Sequence, residues 1–352
     1  MTIKSQHIVV IRLSAMGDVA MTVPVLKALT QQNPNLKITM VSRGFFKPFF
    51  DNIPNVSFFA FDDKNRHNGK SGLWQLFQDI CALQPDMFID LHNVIRTKML
   101  RFLFGFTSIK TASIYKGRKA KKEITSVHKK NFKQTETVFE KQLKAFQSLG
   151  FLVDFSNPTF PKKTMLSKET TSKIGLDSHS VKIGIAPFAQ YESKIYPLDL
   201  MQIVIDKLAQ SLDSQILLFG GGQNEISQLN VLAKNHKNVI VVAGKISFQE
   251  EIDVISNLNL MLSMDSGNAH IAAMLGIPVV TLWGATHPFA GFNPFHQPES
   301  NALVSDRSQY PMLPTSIYGN KIVSGYQDAM RTILPQTVVS RIIEIIAVKF
   351  KL

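Results

Sequence analysis

The chain has 352 residues, enough for two domains of ordinary size and too many for one typical core. A content of 45% hydrophobic and 18% charged residues excludes a disordered chain, and the single cysteine, Cys81, excludes an internal disulfide framework and a cysteine-rich zinc site. The net charge of +13 calls for an anionic partner: nucleic acid, a phosphorylated substrate or a membrane surface.

Met1 to His7 run directly into an apolar strand, Ile8 to Leu13, with no h-region and no small-residue cleavage site, so no signal peptide is read. Ser14-Ala15-Met16-Gly17-Asp18 is a tight turn. Val19 to Leu29 then predicts a helix with Pro24 near its first turn. Asp18 therefore falls at the carboxyl end of the first strand, where open α/β sheets place ligands. A plain helix cap is the equal alternative at this point.

Lys37 to Val41, Val56 to Phe61 and Met87 to Leu91 read as further strands, with an amphipathic helix from Leu73 to Leu83 and a polar loop from His92-Asn93 to Arg96. The alternation of strand and helix predicts a parallel, doubly wound sheet. Asp62-Asp63 is an adjacent acidic pair in a loop and reads as a solvated turn. From Arg96 to Lys144 the chain is strongly basic with aromatic residues interleaved. Its density peaks at Lys116, Arg118, Lys119, Lys121 and Lys122, a surface for phosphates or anionic lipid. Signatures of the common nucleic-acid-binding modules are missing, and no nucleic-acid partner is expected.

Asp154 to Ser180 breaks the pattern, so the domain boundary is placed there. Val181 to Pro187 restarts it as a strand, followed by a polar loop with Lys194 and a helix from Pro197 to Leu212. Gln215 to Phe219 is a strand, and Gly220 to Glu225 a permissive turn into a helix. Val239 to Gly244 is a strand and Phe248 to Asn257 a helix. Leu260 to Ser263 leads into Asp265-Ser266-Gly267-Asn268, which has turn and helix-start chemistry. His270 to Leu275 forms the helix that Gly276 and Pro278 end. Ile277 to Trp283 is the next strand, with a Thr286-His287-Pro288 loop behind it. A helix start opening from a strand gathers free N–H groups and the helix dipole, which is an anion site. The longest apolar run, Ile271 to Ala285, is shorter than the ~20 residues of a spanning helix and is broken by Gly276 and Pro278. The tail from Gln336 to Leu352 carries a helical apolar stripe, read as packing.

The segments IRLSAMGDVAMTVPVLKAL, DLHNVIRTKML, SKIYP, FGGGQNE and SMDSGNAHIAAMLGIPVVTLWGATHP, in this order, resemble the ADP-heptose:lipopolysaccharide heptosyltransferases, glycosyltransferase family 9. The resemblance covers nearly the whole chain. It implies an α/β GT-B-like fold of two Rossmann-like, doubly wound domains facing each other across a cleft. The acceptor domain would span 1–160, a linker 161–180, the nucleotide-sugar domain 181–334, and a helix over 335–352 would pack back on the first domain. It implies an inverting, metal-independent transfer from an ADP-sugar donor, ADP-heptose, to the phosphorylated glycolipid of the lipopolysaccharide inner core. No cofactor is implied.

By motif position Asp18 matches the catalytic base. Lys194 matches the diphosphate-binding lysine and Glu225 the acidic residue near the ribose. Asp265, Ser266, Gly267 and His270 match the donor segment, to which Ala189, Met16 and Gly17 are added. Arg96 and the lysine-arginine cluster are assigned to the anionic acceptor. Phe188 stands where many members carry a Gly- or Thr-rich loop. The implied setting is the cytoplasm, peripheral on the inner membrane, as a monomer. Two alternatives stay open: the same fold with another nucleotide sugar or glycan acceptor, and a non-catalytic nucleotide or nucleic-acid binder.

Overall fold

The computed structural model describes residues 6–128, 130–177, 181–321 and 323–350, with the side chains of 349 and 350 left out. Met1 to Ser5, the last three residues of the expected linker (178–180) and the last two of the tail lie outside the described residues. The chain divides into two compact units. One comprises Met1–Gly117 with Glu136–Pro161, the other Arg118–Thr135 with Lys162–Leu352.

In chain order the first unit contains β1 (Gln6–Ile11), α1 (Met16–Ala20), α2 (Val23–Gln32), β2 (Leu36–Arg43), β3 (Val56–Phe61), α3 (Gly69–Ala82), β4 (Met87–Asp90), α4 (Ile95–Phe104) and β5 (Lys110–Ser113). After the excursion that carries α5 (Arg118–Ile124), α6 (Val138–Gln147) completes it. Its five strands are parallel in the order β3-β2-β1-β4-β5. β1 is central and buried on both faces, hence its near-continuous apolar run. Val9 and Ile11 pack with Leu76 and Ile80 of α3 and with Leu100 and Phe104 of α4. The single helix expected over Val19 to Leu29 is two, because Pro24 lies in the first turn of α2. A proline has no amide to continue a preceding helix and suits a first turn. The Thr22 hydroxyl closes the break by donating to Val19 O at 2.7 Å.

The second unit contains α7 (Lys168–Ile174), β6 (Val181–Ala186), α8 (Leu198–Ser211), β7 (Ser214–Leu218), α9 (Gly222–Ala233), β8 (Val239–Val241), α10 (Phe248–Ser256), β9 (Leu260–Met264), α11 (Gly267–Met274), β10 (Val279–Trp283), β11 (Ala302–Val304) and α12 (Pro335–Phe350). Its parallel sheet runs β11-β10-β9-β6-β7-β8. α12 lies against α8, β9 and β10 and buries Val338, Val339, Ile342 and Ile346 in this unit's own core. The stripe packs, as expected, and within the described residues its buried side chains belong to this core. Each such side chain contributes about 1.5–3 kcal/mol on burial.

Residues 118–135 depart from the expected boundary, since they belong to the second unit. Their contacts explain why. The Lys130 ammonium donates to the carbonyls of Ile124, Met312 and Pro314 at 2.9, 2.9 and 3.0 Å, and its burial brings its pKa down to about 8. Phe132 stacks on Phe289 at 5.0 Å, with the Arg307 guanidinium 3.4 Å from its ring centre. Thr135 donates its amide and hydroxyl to Phe289 O at 2.8 and 3.0 Å. Among the described residues no helix is long and apolar enough to cross a membrane.

Burial at the start of α10 pushes the Glu251 carboxyl up to about 7. An unfolded glutamate titrates near ~4.3, so below that pH both states are protonated and nothing is lost. Between ~4.3 and ~7 only the folded state holds the proton, and above ~7 the fold must bury a charge. Stability therefore falls as pH rises through this window, by about 4 kcal/mol at most. Glu251→Gln is expected to match the wild type in denaturant melts at pH 4.5 and to exceed it at pH 8. Equal stability at pH 8 would contradict this assignment.

Candidate active site

In a doubly wound sheet, ligands bind at the carboxyl ends of strands where the strand order reverses. In the first unit that point lies between β1 and β4. The loop after β1 starts α1, with Met16 and Gly17 in its first turn beside Asp18. The Arg12 guanidinium, at the end of β1, pairs with Asp18 Oδ2, and the Ala15 amide approaches the same oxygen at 3.4 Å. Arg12 is itself fixed by donating to Leu91 O at 2.7 Å. Asp18 is thus held in one orientation and remains partly open to solvent.

The loop after β4 is set by Asp90, which is fully buried. Its Oδ1 accepts the amides of His92 and Asn93 at 2.9 and 2.6 Å, and Arg101 Nε lies 3.2 Å from its Oδ2. Asn93 takes a left-handed conformation, φ 52°, and turns the chain into α4. His92 directly precedes Asn93. Burial, and then the charge of Arg12, bring its imidazole down to about 4, so the ring is neutral near pH 7. Its buried Nδ1 finds no hydrogen-bond partner among the described residues, nor does Arg12 Nε. Buried polar atoms are nearly always paired, so two such atoms beside one carboxylate mark a place for a polar ligand. Arg96 stands in the first turn of α4. It lies over the Phe61 ring at 5.1 Å and donates to His67 O at 3.0 Å.

In the second unit the reversal lies between β6 and β9. The loop after β6 carries Ala189, partly buried against the core, and then Lys194. Lys194 Nζ sits 3.0 Å from Asp265 Oδ2, and the Thr286 hydroxyl donates to that same oxygen at 2.8 Å. Both partners of the ion pair are largely buried, with 13% and 9% of their side chains exposed. Ser193 fixes the lysine loop by donating to Gly319 O at 2.6 Å and accepting the Ala285 amide at 3.0 Å on its carbonyl. Gly284 is required at this crossing, because a Cβ there would overlap the Ser193 carbonyl.

Asp265 leads into α11, whose N-cap is Ser266 and whose first residue is Gly267. The Ser266 hydroxyl does not cap the helix; it lies 3.0 Å from the Ser263 hydroxyl. The amides at this helix start and the helix dipole are thereby presented to an anion. His270 is buried in the same first turn. Glu225 stands in the first turn of α9, where its Oε2 accepts the Gly221 amide at 2.7 Å and ties down the glycine turn. Phe188 packs into the core, so its bulk is directed away from the loop surface.

The structure therefore groups Met16, Gly17 and Asp18 in one unit, and Lys194, Asp265, Ser266, Gly267 and His270 in the other. The basic cluster divides, with Lys116 in the first unit and Arg118, Lys119, Lys121 and Lys122 on or beside α5 of the second. Lys121 lies over the rings of Phe292 and Tyr318 at 4.8 and 5.2 Å. Asp62 and Asp63 form the expected turn, Asp62 accepting nearby amides and Asp63 pairing with Arg43 at 2.7 Å. Two residues inside the resembling segments were assigned no role there, Arg12 and His92. A lone charge ending an apolar strand was the available signal for Arg12. Among the described residues, no three His, Cys, Asp or Glu side chains gather as a metal site.

The model of glycosyltransferase family 9 (heptosyltransferase) matches residues 73–316, a span that includes His92, Lys194 and Asp265 but not Asp18. Lipopolysaccharide heptosyltransferase 3 of Escherichia coli (strain K12) is 26% identical over 284 residues, covering 77% of this chain and 80% of that protein. The crystal structure of the family 9 glycosyltransferase from Veillonella parvula DSM 2008 is similar with a TM-score of 0.74 at 22% identity, over 98% of each chain. E. coli heptosyltransferase WaaC with ADP is similar with a TM-score of 0.68 at 18% identity, over 97% of this chain and 100% of that one. These structural likenesses show the GT-B class of fold, with two Rossmann-like parallel-sheet units. The chain belongs to glycosyltransferase family 9 and is a glycosyltransferase.

Proposed function

We propose that this glycosyltransferase moves heptose from ADP-heptose to the phosphorylated glycolipid of the lipopolysaccharide inner core, with inversion at the sugar carbon and without a metal. Asp18 is the general base. The observation that carries the reading is the charge at the two switch points: an Arg12-held carboxylate after β1, and an Asp265-held ammonium beside an uncapped helix start after β6 and β9. The relative named as a lipopolysaccharide heptosyltransferase, and the similar structure that carries ADP, support this choice of acceptor and donor. The setting is the cytoplasmic face of the inner membrane.

In this transfer an acceptor hydroxyl attacks the anomeric carbon from the face opposite the diphosphate. Its proton passes to Asp18 as the new carbon–oxygen bond forms. The bond from carbon to the phosphate oxygen breaks, and its electron pair leaves with ADP. Lys194, the amides of Gly267 and Asn268, and His270 meet the charge growing on that diphosphate. Arg12 orients the base, and the neutral ring of His92 offers a hydrogen-bonding group to the acceptor sugar. Arg118, Lys119 and Lys122 meet acceptor phosphates.

Asp18→Asn keeps the shape of the site and removes the base. Its kcat with ADP-heptose is expected to fall by about 10²–10⁴, with the donor KM within about threefold of wild type. Wild-type turnover in that variant rules out Asp18 as the base. Turnover in EDTA is expected to equal that in its absence, and a strict requirement for added Mg²⁺ would remove the metal-independent mechanism.

Lys194→Ala removes a charged donor to phosphate, worth about 1.5–3 kcal/mol, so ADP should bind about 10–100-fold more weakly by calorimetry. Because the same change leaves Asp265 without its cation, the double variant Lys194→Ala with Asp265→Asn serves as a control. Undiminished ADP affinity in both variants would detach Lys194 from the diphosphate.

A further inference from the structure

The helix α4 is apolar on two faces. Its inner face, Thr97, Leu100 and Phe104, is buried against the sheet. Its outer face carries Ile95, Met99 and Phe102, and the turn beyond it carries Phe106, with 79, 46, 68 and 77% of each residue exposed. The spacing of four, three and four residues puts all of them on one line along the helix. The Phe106 ring packs edge-on against Phe102 at 5.1 Å, which extends the line past the helix end. At 1.5 Å per residue the stripe is roughly 16 Å long. A contiguous exposed apolar surface of this kind marks an interaction site.

The charges around it identify what covers it. From Leu91 to Gly117 the sequence has five lysines and arginines and no aspartate or glutamate. Lys98 is exposed between Ile95 and Phe102 on the helix surface, and Lys110 is exposed at the start of β5. A second copy of the chain would bring the same positive field against this one. An anionic bilayer offers both things the face lacks, an apolar interior for the stripe and negative headgroups for the flanking lysines. α4 also starts directly from the β4 loop, whose His92 senses the charges of Arg12 and Asp18. A membrane covering α4 therefore reaches the same end of the sheet as the candidate base.

We propose that the outer face of α4, Ile95, Met99, Phe102 and Phe106 with Lys98 beside them, is the surface by which this protein docks on an anionic lipid bilayer. The orientation toward the acceptor rests on the reading of the acceptor as a glycolipid; the docking itself does not. The test is sedimentation with vesicles of phosphatidylglycerol and phosphatidylethanolamine, and separately of phosphatidylcholine, in the absence of donor and acceptor. The wild type is expected to bind the anionic vesicles, with affinity falling as salt is raised. A variant with serine at all four apolar positions is expected to bind at least about tenfold more weakly, and Lys98→Glu several-fold more weakly. All four side chains are exposed, so the serine variant should keep the wild-type melting temperature and its turnover on a detergent-dispersed acceptor. Should it not fold, Phe102→Trp supplies the readout, its emission shifting to the blue on addition of anionic vesicles.

Wild-type binding by a folded serine variant, or an unmoved emission from Phe102→Trp, would overturn the proposal. So would a dimer in light scattering that the serine variant loses, with no vesicle binding by the wild type. Vesicle binding through this face together with no transfer from ADP-heptose would leave the docking surface standing and remove the proposed function.

Discussion

Lys194 and Asp265 hold each other at the carboxyl end of the second unit's sheet, and the polar end of that unit is built around the pair. Their charges lie 3.0 Å apart and largely out of water. Leaving either alone there costs about 3–5 kcal/mol, so each needs the other, or an equivalent charge, in every state of the protein. The surrounding chain is shaped to that need. Thr286 shares the carboxylate oxygen, Ser193 fixes the lysine loop to Gly319 and Ala285, and Gly284 yields the space for that crossing. Such an ammonium is pre-placed but not locked. In the proposed transfer an arriving diphosphate gives it a second anion, while Asp265 keeps the Thr286 hydroxyl.

The first unit repeats the logic with the sign of the presented group reversed. Here a carboxylate stands at the switch point and a guanidinium sets its direction. Both arrangements follow from topology. Parallel strands bring all their carboxyl ends to one side, and the strand-order reversals at β1/β4 and β6/β9 open a gap there. The apolar runs that bury β1, β6 and β9 carry no chemistry, but they decide where the residues after them must lie.

Much of this is legible in the residues themselves. The valine-, isoleucine- and leucine-rich strands announce a parallel sheet, and Asp265-Ser266-Gly267 ahead of a buried helix announces an anion site. What is hidden depends on contacts distant in sequence. Nothing local ties Thr135 to Phe289 or Lys130 to Met312, so the transfer of 118–135 to the second unit could not be read from their order. The tail's stripe showed that it packs and not on what. Glu225 reads the same from sequence whether it serves a ribose or its own helix start, and the fold adds its bond to the Gly221 amide. Arg12 and His92 lie inside the resembling segments with no role marked by the pattern, and they stand out through an ion pair and an orphaned nitrogen. The α4 stripe was hidden for a different reason: Phe102 and Phe104 are equally apolar in sequence, and only the fold shows one exposed and the other buried.

In the proposed transfer the second unit holds an ADP-sugar whose heptose is moved. The most direct measurement is a thermal-shift and turnover panel of nucleotide sugars, because a true donor stabilises the folded state by mass action, about 2.7 kcal/mol at a hundred times its Kd. ADP-heptose is expected to raise the melting temperature more than any UDP- or GDP-sugar and to be the one consumed in the presence of the inner-core acceptor. A UDP- or GDP-sugar that stabilises the protein and is turned over, while ADP-heptose does neither, would contradict it.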